Sequence, residues 1–259
     1  MPVDVSVLRG AVILAAGVGS GFVNAIVGSG SLISFPALVG SGFERLAANI
    51  ANNVGQFPGS ISAVYGYRRE LVGQSARVRR LVPASLVGSV TGALLVLKYP
   101  GSFKQVVPVL ILVGVALVLA APVVQSRVKA RRAAAGGVAH PDHINVLALL
   151  GVFLAGIYGG YFGAGQGVIL VGVLGMAISD ELVRINALKN VLTMIVNGIA
   201  AVVFIIRGDI PWLGAALIGV GATIGAQIGS RIGRKIPANV LRGVIGVLGV
   251  TVALKLWFD

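Results

Sequence analysis

The sequence contains no cysteine, which excludes disulfides, thiolate metal sites and thiol nucleophiles. Charge is also scarce. Only 11% of the 259 residues are Asp, Glu, Lys or Arg, against roughly 25% in an ordinary soluble domain. The eight carboxylates (Asp4, Glu44, Glu70, Asp142, Asp180, Glu181, Asp209 and Asp259) all fall in loops, at segment ends or at the termini. The two histidines, His140 and His143 in AHPDHI, have a metal-like interval but no third ligand beyond Asp142, so neither a metal site nor any cofactor is expected. No G-x-x-x-x-G-K-[ST] occurs, which argues against an ATP-driven pump. An intramembrane enzyme would need a nucleophile–base pair or a metal cluster at depth. The apolar segments hold no Cys, His, Asp or Glu, leaving a serine–lysine dyad through Lys189 as a formal option.

What the chain has is apolar length. It is 56% hydrophobic with a mean hydropathy of +0.96, and its apolar runs cover 10–27, 31–42, 47–66, 81–97, 105–123, 145–162, 166–178, 187–206, 212–229 and 239–257. The expectation is an all-α polytopic membrane protein. MPVDVSVLRG carries only Arg9 before the first run, beside Asp4, which makes a poor secretory n-region, so 10–27 is read as a retained segment. The net charge of +13 sits in short clusters between apolar runs, which positive-inside topology explains better than nucleic-acid binding does.

The second five runs repeat the first. AIVGSGSLISF (25–35) matches GYFGAGQGVIL (160–170), NIANNVGQ (49–56) matches NALKNVLT (186–193), and GSVTGAL (88–94) resembles GATIGAQ (221–227). The spacing stays near 135 residues, so an internal duplication is expected: 1–124 as the N-terminal repeat, 125–143 as a basic cytoplasmic linker and 144–259 as the C-terminal repeat. Arginine in loop 67–80, in the linker (Arg127, Lys129, Arg131, Arg132) and after 229 (Arg231, Arg234, Lys235) puts all three on the cytoplasmic side. The matched segments 47–66 and 187–206 then run in opposite directions, which makes the repeats inverted. Segments 31–42 and 166–178 are too short to cross at ~1.5 Å per residue. They are read as half-helices of a re-entrant pair, with three transmembrane helices completing each repeat.

Non-helical backbone at membrane depth is tolerated only where it faces protein or a water-filled cavity, so GSGS (28–31) and GAGQG (163–167) are expected to meet near the midplane. Each opens a half-helix whose first N–H groups carry the positive end of the macrodipole, and Pro36 is expected to keep the first of these short or bent. The candidate anion-binding residues at the breaks are Gly28, Ser29, Gly30, Ser31, Gly163, Ala164, Gly165 and Gln166. The runs G88xxxG92 and G221xxxG225xxxG229 are read instead as packing seams. Lys189 falls inside an apolar segment, where an unpaired cation costs roughly 3 kcal/mol or more. It is either the substrate's counter-charge or a snorkelling loop residue. Asn186, Asn190 and Thr193 share its helix face, and Asn197 follows; Asn49, Asn52, Asn53 and Gln56 occupy the matched helix. Amide donors and one ammonium suit an oxyanion, and interhelical hydrogen bonding is the competing role, chiefly for Asn197.

VNAIVGSGSLISFPAL (23–38) and YGGYFGAGQGVILVGVL (158–174), each followed by an N-x-x-x-N helix and a GxxxG helix, resemble the sulfite exporter TauE/SafE family of membrane permeases over nearly the whole chain. The resemblance implies a multi-pass protein of the cell (inner) membrane of bacteria or archaea that moves sulfite, thiosulfate, sulfonates or small carboxylates. It carries the family's glycine-rich motif onto Gly28, Gly30, Gly163 and Gly165; Ser29, Ser31, Ala164 and Gln166 depart from the glycine-richer form, and the serine hydroxyls and glutamine amide add side-chain donors. The partners expected are one small anion and the lipid bilayer, with no nucleic acid and with a homodimer left open. A secondary carrier with no carboxylate at depth to hold a sodium ion is expected to work by one repeat rocking against the other; a channel is the alternative.

Overall fold

The computed structural model describes residues 6–134, 144–232 and 238–258. Among them ten helices follow one another: α1 (Val7–Ile26), α2 (Ser31–Gly40), α3 (Arg45–Gly66), α4 (Ser75–Lys98), α5 (Pro100–Ala134), α6 (Val146–Tyr161), α7 (Gln166–Ala177), α8 (Leu182–Arg207), α9 (Trp212–Ile232) and α10 (Ala238–Phe258). Each apolar run of the sequence is one helix. Of these, α1, α4, α5, α8 and α9 are long and apolar enough to cross a membrane, whereas α2 has 10 residues and α7 has 12, about 15–18 Å at the helical rise. His140, His143, Arg234 and Lys235 lie outside the described residues.

Helix α2 is short, as expected, and runs through Pro36 to Gly40. One local reading changes: the basic stretch expected as linker begins inside α5, which runs on to Ala134. The cause is local: from Val123 to Ala135 the sequence has no glycine or proline and is rich in Ala, Arg and Lys, which are good helix formers. The breaks themselves are glycine conformations. Gly28, Gly163 and Gly165 have φ of 82°, 85° and 83°, a region that costs an L side chain about 1–2 kcal/mol.

Small residues set the packing. In lipid, helices associate by close backbone approach rather than by leaving water, and two seams do this here. Along α1 and α9, Gly17 and Gly21 face Ile218, Gly221 and Ala222, while Gly225 and Gly229 face Val18 and Phe22. Along α4 and α6, Gly88 and Gly92 face Phe153, Gly156 and Ile157, and Gly160 faces Ser89. A methyl group at Gly21, Gly92 or Gly225 would overlap a backbone carbonyl oxygen of the neighbouring helix. Helix α3 lies on α9 through Gly55 and Gly59, and α5 pairs with α10. Each seam joins a helix of the first sequence repeat to one of the second. The helices before and after the 125–143 stretch are interlaced, not set side by side. Large apolar side chains such as Leu94, Leu119, Ile205 and Val220 point outward.

Charged clasps mark the two ends of the bundle. At one end Asp180 meets Arg77 at 2.5 Å and Arg184 at 3.0 Å, Gln74 donates to the Arg184 carbonyl at 3.1 Å, and Arg132 reaches Glu181 at 3.4 Å. Burial alone would raise the Asp180 pKa, but hydrogen bonds from both guanidiniums and the Glu181 N–H hold it below the ordinary carboxylate value. At the other end Glu44 pairs with Lys104, and Arg45 donates to the carbonyls of Lys104 at 2.9 Å and Leu256 at 3.0 Å.

Candidate functional site

The two glycine breaks touch. The Gly167 N–H at the start of α7 donates to the Gly28 carbonyl at 3.0 Å, and the approach is so close that a methyl on either glycine would overlap the other's Cα. One amide of the α7 N-terminus is therefore spent on protein. Tyr158 pins the second break by donating its hydroxyl to the Ala164 carbonyl at 2.5 Å. Gly30 has a packing reason to be glycine: a Cβ there would lie 2.6 Å from Ser20 Oγ and 3.0 Å from Asn24 Cβ. Gly165 is held by its positive φ and by the Gly114 carbonyl, 3.2 Å from where a Cβ would stand. Bulk at either position strains the fold before it meets any ligand.

The helix ends at the breaks have carbonyls without intrahelical partners, and the asparagine helices supply donors to them across the repeats. Asn49 on α3 donates to Tyr161 O at the end of α6 at 2.9 Å. In the matched relation, Asn186 and Asn190 on α8 donate to Ala25 O at the end of α1, at 3.1 and 3.3 Å. Asn53 donates to the Asn49 carbonyl at 3.0 Å and to its side-chain oxygen at 3.2 Å, which orients the Asn49 amide. Lys189 is 0% exposed. It sits two turns inside α8 and donates from Nζ to Asn24 O at 3.0 Å, where the negative end of the α1 dipole favours a cation. It does not snorkel.

A second group is a closed polar network inside the first repeat. Asn52 donates to Ser31 Oγ at 3.0 Å and accepts from Ser34 Oγ at 2.5 Å, Gln56 donates to Ser34 Oγ at 3.1 Å and to Ser20 Oγ, and Ser20 and Ser34 share a bond of 3.0 Å. Ser20, Asn24, Ser34 and Tyr158 were not singled out from the sequence. Single hydroxyls in apolar helices near a glycine break were the available signal. Asn197 donates to Ser60 Oγ at 2.9 Å, an interhelical hydrogen bond between α8 and α3.

Five buried side-chain polar atoms among the described residues have no hydrogen-bond partner: Ser29 Oγ, Gln56 Oε1, Ser85 Oγ, Gln166 Nε2 and Thr193 Oγ1. Four belong to residues singled out from the duplicated motifs. Buried polar atoms are almost always satisfied in proteins, and each exception calls for a cause such as a ligand or ordered water. Ser29 and Gln166 flank the contact between Gly28 and Gly167, and Thr193 lies one helical turn from Lys189. A cavity of about 10 Å³ beside this crossing is lined by Ile26, Val27, Ala121, Val124, Gln125, Val168 and Val171. Larger grooves lie elsewhere, of about 840 Å³ around Asn145 and Met176 and about 360 Å³ around Arg68, Arg69 and Arg231. Among the described residues no group of three or more His, Asp or Glu is placed to hold a metal ion.

Comparison with known proteins agrees in kind. The family model described as "Sulfite exporter TauE/SafE" matches residues 13–256. The chain is 27% identical over 242 residues to the probable membrane transporter protein YfcA of Escherichia coli strain K12, covering 93% of this chain and 86% of that protein. It is 27% identical over 246 residues to the probable membrane transporter protein ORF9 of a Sinorhizobium species, covering 93% and 89%. A probable membrane transporter protein of Haemophilus influenzae is 23% identical over 257 residues, covering 99% and 97%. No solved structure matches significantly.

Proposed function

The chain belongs to the sulfite exporter TauE/SafE family and is a multi-pass membrane transporter, and on that premise we propose that it is a secondary carrier that exports a small anion, such as sulfite or an organosulfonate, across the cell (inner) membrane. The observation that carries the reading is the set of unsatisfied polar atoms able to donate, on Ser29, Gln166 and Thr193, in the same two matched motifs as the buried Lys189. The anion is held at the crossing of the half-helices by these side chains as much as by backbone amides, because Gly167 N–H is already taken.

The repeats are inverted in this reading, with α2 and α7 re-entering from opposite faces. Two features support it. The clasp of Asp180 with Arg77 brings the α7–α8 connection to the end of the bundle where α3 gives way to α4, and the bonds from Arg45 bring the start of α3 to the end where α10 finishes. The moving bodies are not the sequence repeats, however. The glycine seams bind α1 to α9 and α4 to α6, so repeat-on-repeat rocking would tear both. One body is α1, α2, α3 and α9; the other is α4, α6, α7 and α8. They meet along α3 and α8 at the candidate site, and α5 and α10 pair beside them. A negative interior favours exit of an anion by ~2.3 kcal/mol per charge per 100 mV.

A thermal-shift panel of sulfite, sulfate, thiosulfate, methanesulfonate and acetate on purified protein tests the reading, since a ligand of the folded state raises Tm by mass action. Stabilisation by at least one sulfur anion, with counterflow in proteoliposomes, is expected. No shift with any member would refute an anion site, and conductance without counterflow would make the protein a channel.

A further inference from the structure

Among the described residues the interior holds one basic side chain. Lys189 is the only charged side chain among the buried described residues, and the matched position of the first repeat holds the neutral Asn52. The other buried polar groups of the matched motifs beside it are neutral: the hydroxyls of Ser29 and Thr193 and the amides of Gln166, Asn186 and Asn190. The arginines that would add positive potential, Arg77, Arg184 and Arg132, are engaged at the end of the bundle with Asp180 and Glu181. Two inverted halves each carrying a lysine would make a site for a dianion. Here only one of the two matched positions is a lysine.

Resting on the anion site proposed above, we infer that the site selects monoanions, the class of sulfonates, hydrogen sulfite and small carboxylates, over dianions such as sulfate. The physical reason is neutrality. An ammonium and one negative charge form a pair with no net charge, which an enclosed low-dielectric site accepts when hydrogen bonds satisfy the remaining lone pairs. A dianion leaves one charge uncompensated, and hydroxyl and amide dipoles recover only part of the lost hydration. Lys189 is then the residue that sets substrate charge, while the neutral donors set shape. The alternative role, a cation capping the α1 carbonyl terminus through Asn24 O, involves no such preference.

The test uses the purified full-length protein at pH 7 with three probes of similar shape: methanesulfonate as monoanion, sulfate as dianion and dimethyl sulfone as neutral isostere. Titration calorimetry of the wild-type protein should give methanesulfonate about 100-fold tighter than sulfate. In Lys189→Gln, methanesulfonate should weaken at least about tenfold, and its advantage over dimethyl sulfone should vanish. Sulfate binding as tightly as methanesulfonate would overturn the charge inference while leaving an anion site in place. No binding of either anion, or unchanged anion binding in Lys189→Gln, would overturn the site itself and the inference with it.

Discussion

Removing Asn49 should destabilise the protein more than removing its matched partner Asn186. In Asn49→Ala, Tyr161 O loses the donor that reaches it across the repeats at 2.9 Å, and Asn53 loses one of its two acceptors. In Asn186→Ala, Ala25 O keeps the bond from Asn190 at 3.3 Å. Interhelical hydrogen bonds in membranes average ~0.6 kcal/mol with a maximum near 1.7, while an orphaned buried acceptor costs ~1–3 kcal/mol. Asn186→Ala should therefore cost about 0.6 kcal/mol and Asn49→Ala about 2 kcal/mol. Thermal unfolding in detergent measures the difference, expected at about 2–4 °C per kcal/mol for a chain of this size. Equal losses, or a larger loss in Asn186→Ala, would refute the reasoning that reciprocal capping holds the broken helix ends.

Because the chain has no cysteine, paired cysteines can map the moving bodies without background. Cross-linking Ser62→Cys to Thr223→Cys ties α3 to α9 within one body and should leave transport intact, whereas Ser60→Cys to Asn197→Cys ties α3 to α8 between bodies and should stop it; the reverse result would restore the sequence repeats as the rigid units. Single cysteines at Ser75 and Ser102 should label from the inside and the outside respectively, and labelling from one common side would exclude the inverted topology. The Asp180 clasp should respond to acid and not to mild alkali. Its carboxyl titrates below the ordinary value, so its stabilisation is fully present above about pH 4, flat from pH 5 to 8, and lost only as pH falls through the lowered value; a wild-type minus Asp180→Asn difference in Tm that changes between pH 6 and 8 would contradict this.

The helices were legible because hydropathy reports transfer out of water, and every apolar run, including the two too short to span, became one element. The breaks were legible because Gly28, Gly163 and Gly165 occupy the backbone region that glycine alone enters freely. Partnership between helices was not legible. In lipid, both faces of a helix are apolar, so periodicity does not say which face packs; Gly88, Gly92, Gly221 and Gly225 announced seams without naming Ile157 or Val18 across them. The role of Gly30 was hidden for the same reason. Its crowding comes from Ser20 and Asn24 on α1, a contact that no local pattern encodes. Ser20 and Ser34 escaped notice because each is one hydroxyl in an apolar helix, and only the fold turns them into the network around Gln56.

In the proposed carrier, binding and gating work through the same atoms. The bonds from Asn186, Asn190 and Lys189 to the end of α1, and from Asn49 to the end of α6, all cross between the two bodies. Separating the bodies on either side must break some of them, and in a site without water each broken bond leaves a donor and a carbonyl exposed. An anion supplies acceptor oxygens for the donors, and in the proposed site it lies where Lys189 can turn to it from Asn24 O. The α1 carbonyls, released from those donors, must find water or reorient as the break opens. A carrier built this way has low penalty for moving loaded and a higher one for moving unloaded with Lys189 uncapped. Exchange should then exceed net flux in proteoliposomes, and the ratio should fall toward one in Lys189→Gln, where no buried charge demands a partner during the return step.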